Sequence, residues 1–132
     1  MKAIGMHRMR KALAAIKMAE MARLGRLEAE LASLRADAAD LRKRSCEQTA
    51  GANSSEMIAV ANWQVVAEAR ARAKEAEAAE LLDEIQTLRS RLARTNGREM
   101  VTNDLIRQSE VEAGKLAERR AEDVPANKRP MS

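Results

Sequence analysis

The chain has 132 residues and a formal net charge of +4, with 33% charged residues and a single aromatic residue, Trp63. So few aromatic side chains exclude the usual core of a compact globular protein, and a lone cysteine, Cys46, excludes a disulfide within the chain. The longest apolar run near the N-terminus, residues 12–16, is too short for a signal sequence or a transmembrane span. We therefore expect a soluble, coiled-coil type of protein.

The first helix is predicted from a ladder of mostly leucine residues, which comprises Leu24, Leu27, Leu31, Leu34, Ala38 and Leu41. Its alternating steps of three and four are the spacing of a coiled-coil seam. An earlier stripe (Met6, Met9, Leu13 and Ile16) is followed by a gap of eight residues before Leu24. This gap predicts a stutter, with Glu20 or Met21 near the seam and the supercoil locally unwound. We predict helix 1 over about residues 6–48.

A turn is predicted over residues 49–53. Gly51 can adopt the left-handed conformation that ends a helix. Asn53 is a good N-cap, and Glu56 three residues later can complete a capping box. Because the link is short, the two helices are expected to be antiparallel neighbours.

The second helix is predicted over about residues 54–122. Its apolar stripe is sparse at first, through Met57, Val60 or Ala61, Trp63, Val66 and many alanines, and strengthens at Leu81, Ile85, Leu88 and Leu92. After Gly97 it weakens to Val101, Leu105 or Ile106, Val111 and Leu116. The predicted fold is all-α, a long antiparallel two-helix coiled-coil hairpin with an overhanging second helix over residues 1–122, followed by a disordered basic tail, residues 123–132.

A turn centred on Gly51 also predicts which residues face each other. Residues 24–34 then lie opposite the alanine-rich residues 68–78, which would let the two helices approach closely. Met6 lies opposite Asn96, so the overhang from Gly97 onward would have no partner within the chain. The same seam could instead pair between two chains, and the sequence leaves that choice open.

Side chains for catalysis or metal binding are scarce. His7 is the only histidine, and we expect it to be solvated near the N-terminus. Cys46 has no histidine near it in the sequence, and no phosphate-binding glycine loop or metal motif is present. We expect no catalytic, cofactor-binding or metal-binding residues, and no enzyme.

The basic residues are distributed unevenly. Residues 1–26 contain seven Lys and Arg residues against Glu20 alone, and a second cluster comprises Arg89, Arg91, Arg94 and Arg98. A basic helix could bind nucleic acid, an anionic membrane or an acidic protein, or be merely solvated. The absence of interleaved aromatic residues argues against nucleic acid, and the absence of Trp or Phe anchors argues against a membrane. Because the hairpin brings two basic clusters together, we favour an acidic protein partner.

Trp63 has two interpretations. It can pack near the closed end of the hairpin, or it can be an exposed anchor for a partner, since Trp is enriched at the centres of protein interfaces.

These features resemble the FliJ/YscO family of bacterial type III export systems. The resemblance is carried by the basic first helix, the short polar turn, the opening Ala-Asn-Trp-Gln of residues 61–64, and the charged residues 115–123. It implies a non-enzymatic stalk whose paired termini insert into a hexameric export ATPase and promote its assembly. The expected location is cytoplasmic, peripheral to the inner-membrane export apparatus, in a flagellar or an injectisome system.

The resemblance and the charge pattern together give two expected binding regions. The ATPase end would use Arg8, Arg10, Lys11, Arg91, Arg94 and Arg98. The cytoplasmic domain of the export gate, or a secretion chaperone, would be contacted by Trp63 and Val66.

The first alternative function is a generic coiled-coil adaptor or chaperone that pairs with a helical protein through residues 98–122. The second is a basic helical binder of nucleic acid or membrane surfaces.

Overall fold

The computed structural model describes residues 3–123 and contains two helices, α1 (Ala3–Ala50) and α2 (Met57–Glu122). The helices pack against each other, and no strand occurs in the described part of the chain. This confirms the predicted all-α two-helix hairpin. Residues 1–2 of the predicted hairpin and residues 124–132 of the predicted tail lie outside the described residues.

The hairpin comprises two units. The leucine unit consists of residues Ala19–Leu92. The terminal unit consists of α1 up to Met18 and α2 from Ala93 onward.

The leucine unit has a continuous apolar core. Leu31 and Leu34 of α1 are buried together with Ala78 and Ile85 of α2. Partly buried side chains pack against this cluster, namely Leu24, Leu27, Leu81 and Leu82. The ladder predicted on α1 is therefore the packed seam of this unit.

The predicted pairing of the two helices is wrong. Arg42 pairs with Glu68 and Glu75, whereas a turn centred on Gly51 would place residue 60 opposite it. Gln64 donates a hydrogen bond to the Thr49 hydroxyl, where residue 53 was expected. The observed partners thus lie at least eight residues further along α2. The link occupies residues 51–56, so its midpoint lies further along the chain than Gly51. Moving the midpoint of a hairpin by one residue changes the residue that faces a given position by two.

The ends of both helices at the turn are held by local hydrogen bonds. The Asn53 side-chain oxygen accepts from the Glu56 amide at 2.9 Å, which confirms the predicted capping role of Asn53. Gly51 does not adopt a left-handed conformation, because no glycine among the described residues has a positive φ. Instead, the Ala52 amide donates to the Thr49 carbonyl, closing the last turn of α1 tightly.

The terminal unit buries polar as well as apolar side chains. Thr95, Thr102 and Ile106 of α2 are buried, while Met6 and Leu13 are the buried residues of α1. The Thr102 hydroxyl lies 3.6 Å from the Met9 sulfur. The predicted opposition of Met6 and Asn96 is therefore wrong, since in this register residue 9 would have faced residue 93.

Two further predictions about the seam are corrected by the burial pattern. Ile16 is exposed while Lys17 and Glu20 are half-buried, so the buried side of α1 keeps steps of four and three without a stutter. On α2, Val101 and Leu105 are exposed, and the seam passes through Thr102 and Ile106.

The predicted overhang is also too long. Helix α2 continues through Gly97 without interruption. It is buried at Ile106 and exposed at every position only over residues 110–122.

Candidate partner-binding surface

The terminal unit has a groove of about 660 Å³ between α1 and α2, which we call the terminal groove. It is lined by Met9, Leu13, Arg94, Gly97, Arg98, Val101, Thr102 and Leu105. Each of Val101 and Leu105 precedes a buried residue of the seam by one position. Since one residue turns a helix by about 100°, these side chains lie at the flank of the packed face and form the floor of a groove.

Helical spacing explains the other residues of this groove. Arg94 and Arg98 are four residues apart and therefore share a face of α2, one turn from each other. Gly97 lies beside them and contributes no side chain, and nothing lies within 4 Å of the position a Cβ would take there. The lining residues include no carboxylate, so the terminal groove combines an apolar floor with a cationic rim.

The six basic residues predicted for the ATPase end do not form one cluster. Arg94 and Arg98 line the terminal groove together. The remaining cations of that set are exposed but do not line it, and they are Arg8, Arg10, Lys11 and Arg91. Arg91 belongs to the leucine unit, where it lines a smaller groove that also contains Asp83 and Glu84.

The second basic cluster is also partly neutralised. Arg89 donates a hydrogen bond to the Glu28 carboxylate at 3.0 Å. Both side chains are largely exposed, so this ion pair contributes little to stability. It does give Arg89 a carboxylate partner within the chain.

Trp63 lies at a second groove, of about 430 Å³, beside the turn. Its ring is half-buried, and the Arg70 guanidinium carbon lies 5.9 Å from the ring centroid, within the range of a cation–π interaction. The indole Nε1 is buried and has no hydrogen-bond partner. Val66, which was predicted to act with Trp63, is exposed and does not line this groove.

An ion-pair network that the sequence did not reveal lies across the leucine unit. Arg42 donates to Glu68 and Glu75, which are seven positions apart on α2, and Arg72 also contacts Glu68. Hydrogen bonds donated by Arg42, and then by Arg72, lower the pKa of Glu68, while donating to the Glu68 and Glu75 carboxylates raises the pKa of Arg42. The network holds one register of the helices and offers no unpaired group to a substrate.

The side chains that most often take part in catalysis or metal binding were located in the described residues. His7 and Cys46 are both exposed. Residues 3–123 contain no group of three His, Cys, Asp or Glu side chains placed to hold a metal ion. Nor does either described helix contain a segment long and apolar enough to cross a membrane.

Comparison with protein-family models, curated proteins and solved structures gave no match for this chain. The terminal groove therefore has to be interpreted from its own residues. Its distinguishing property is that apolar side chains and arginines are exposed together, which is an arrangement suited to binding a protein surface.

Proposed function

We propose that the chain is a non-enzymatic stalk and assembly factor of a bacterial type III export ATPase. In this proposal the basic terminal unit enters the hexameric ring, and the hairpin couples the ring to the cytoplasmic domain of the export gate. Secretion chaperones would be further partners, near Trp63 and Val66. The proposed site of action is the cytoplasmic face of the inner-membrane export apparatus.

One observation carries this proposal. The terminal unit exposes Arg94 and Arg98 beside exposed apolar side chains, and the first nineteen residues contain no acidic residue. An exposed surface of this kind is suited to an acidic, partly apolar partner surface, because complementary charge directs association and the apolar contacts hold the complex. The resemblance to the FliJ/YscO family supplies the identity of that partner.

The experiment is co-purification with the export ATPase encoded in the same genome, with ATP hydrolysis and ring assembly as readouts. We expect near-stoichiometric amounts of the protein to stimulate hydrolysis and to increase the fraction of hexamer. Removal of residues 1–12 should abolish both effects, because it deletes Met9 from the groove together with Arg8, Arg10 and Lys11.

A charge-reversed variant sharpens the test. Arg94→Glu/Arg98→Glu should lose stimulation, whereas Arg119→Glu/Arg120→Glu, equally basic and exposed on the same helix, should retain it. Absence of binding and stimulation with the wild-type protein would reject the ATPase as the partner.

A coiled-coil adaptor is the second candidate function, and one observation favours it. Residues 110–122 are helical but exposed at every position. An isolated helix of this length is only marginally stable in water, so a helical partner would stabilise it. Deletion of residues 110–122 should abolish partner binding if this candidate is correct, but leave the terminal groove intact. Raising the salt concentration a few-fold should barely weaken such binding, whereas nucleic-acid binding would fall by orders of magnitude.

A further inference from the structure

We propose that the terminal groove binds an amphipathic helix of a partner protein whose apolar stripe is flanked by Asp and Glu. The inference deepens the proposed function, since it specifies the chemistry of the partner element that the basic end would take. It is stated for a class of helix and does not depend on which protein supplies it.

The floor of the groove has the dimensions and chemistry of a helix-binding site. Met9 and Leu13 are four positions apart on α1, so they share one side of that helix, and both line the groove. Val101 and Leu105 face the groove from α2 with 58% and 47% of their surface exposed. A third helix laid between two antiparallel helices covers such half-exposed rows, in the helix-in-groove mode of recognition.

The rim determines the sign of the charge on the bound helix. Arg94 and Arg98 lie one turn apart along the groove, and no carboxylate is among the lining residues. A basic helix would place like charges against these arginines, which is unfavourable. An acidic helix, in contrast, could pair carboxylates with both guanidinium groups while its apolar stripe contacts Val101 and Leu105.

A second copy of this chain fits the groove less well. The fully exposed segment, residues 110–122, has Val111 and Leu116 as its larger apolar residues. They are five positions apart and hence about 140° apart around the helix, so they do not form one stripe. The same segment mixes three cations (Lys115, Arg119 and Arg120) with its four glutamates, so it does not present a purely acidic border to the rim.

The test uses a synthetic probe, so that it is independent of the ATPase. The probe is a fluorescently labelled helical peptide of about five turns (roughly 18 residues), with leucines at every third or fourth position and Glu elsewhere. We expect it to bind the full-length protein in an anisotropy titration, and its Lys-for-Glu counterpart to bind at least about tenfold more weakly.

Variants then locate the site. Arg94→Glu/Arg98→Glu and Val101→Ser/Leu105→Ser should each weaken the acidic peptide by about tenfold or more. The matched control Arg119→Glu/Arg120→Glu should bind within about twofold of wild type. Circular dichroism of each variant shows whether weaker peptide binding comes from the changed groove or from a loss of helical structure.

Three outcomes would overturn the inference. These are equal binding of both peptides, acidic-peptide binding that survives both groove variants, or a dimer in sedimentation that is dissociated by Val101→Ser/Leu105→Ser. Peptide binding without ATPase binding would reject the proposed function alone. ATPase stimulation that persists in Arg94→Glu/Arg98→Glu, together with loss of peptide binding, would reject the groove as the ATPase contact and leave the helix-binding groove standing.

Discussion

Lys17 and Glu99 form an ion pair across the seam of the terminal unit, with Lys17 Nζ 3.7 Å from Glu99 Oε2. That distance is too long for a good hydrogen bond, and Oε2 is buried without a hydrogen-bond partner. The buried residues of the leucine unit are all apolar. The pair therefore marks a position at which charge replaces apolar packing.

Replacing both charges is expected to stabilise the protein. Lys17→Leu/Glu99→Leu should raise the free energy of unfolding by about 1 kcal/mol, because a half-buried ion pair without a good hydrogen bond often contributes less than packed apolar side chains. Lys17→Leu alone should lower it by about 1–2 kcal/mol, since a buried carboxylate oxygen then loses its cation. Urea denaturation followed by circular dichroism measures both values. A double variant no more stable than the single variant would show that the pair is not coupled.

Ile85 is the most deeply buried large side chain of the leucine unit. Ile85→Ala should lower the free energy of unfolding by about 2–5 kcal/mol, because it removes buried methylene groups and leaves a cavity. Ile58 on the same helix is 76% exposed, so Ile58→Ala should change stability by no more than about 0.5 kcal/mol. Similar losses for the two variants would contradict the packing described for this unit.

The Arg42 network predicts a specific dependence of stability on pH. Hydrogen bonds from Arg42 hold the pKa of Glu68 below its ordinary value of 4.5. The unfolded chain therefore binds the proton more tightly, and the contribution of Glu68 to stability is present above pH 4.5 and lost as pH falls through the lower, folded-state pKa. Arg42 remains charged throughout, because its own pKa is raised.

In Arg42→Gln, the pKa of Glu68 should move back toward 4.5. The free energy of unfolding should then fall less steeply than in wild type between about pH 5 and pH 3. Denaturant titrations at several pH values measure this slope, with Arg119→Gln as the control. An unchanged slope in Arg42→Gln would mean that the network has no energetic effect in solution.

Trp63 gives a prediction about an unpaired buried group. Trp63→Phe keeps an aromatic ring and removes the Nε1–H that has no partner, so stability should change by no more than about 1 kcal/mol. Trp63→Ala removes the packing as well and should cost about 2–3 kcal/mol, less than for a fully buried Trp. Circular dichroism is the appropriate probe because the chain contains no other Trp. A large loss in Trp63→Phe would indicate that the indole nitrogen has a partner in solution.

Hydrogen exchange should distinguish two parts of α2. Residues 81–88 include the buried Ile85 and Leu88, and their amides should be among the slowest to exchange. Residues 110–122 are exposed at every position, and their amides should exchange close to the unprotected rate. Slow exchange in both segments would require a partner for residues 110–122, as in an intermolecular assembly.

The sequence predicted the hairpin because the ladder on α1 is strictly regular. Leu31 and Leu34 are buried in the leucine unit, as the steps of three and four require. On α2, the apolar residues beyond Leu92 do not keep this spacing, so a prediction from apolar residues alone departs from the seam there. Continuing from Leu92 at steps of three and four leads to Thr95, Glu99 and Thr102. Two of these are polar side chains that the structure buries and that a search for apolar residues passes over.

Because polar residues occupy seam positions of α2, the candidate site could not be predicted from the apolar residues. The sequence places Val101 and either Leu105 or Ile106 in the seam; the structure buries Ile106 and exposes Val101 and Leu105 at the floor of a groove. The pairing of residues between α1 and α2 could not be predicted either. Alternating steps of three and four determine which face of each helix is buried, but not which residues of the two helices lie opposite each other. The observed pairing is seen in contacts such as Arg42–Glu68, whose partners are 26 positions apart in the sequence.

The unbroken spacing of the buried positions on α2 limits how the length of such a chain can change. A single inserted residue would rotate everything beyond it by about 100° and turn the seam outward. Seven residues inserted into one helix restore the face but leave the other helix without opposing layers. Within the paired part of the hairpin, a change in length therefore keeps both faces only when matched heptads are added to or removed from both helices, each heptad changing the length by about 10 Å. Residues 110–122 are exposed at every position, so that end of α2 can change in length without disturbing the packed layers.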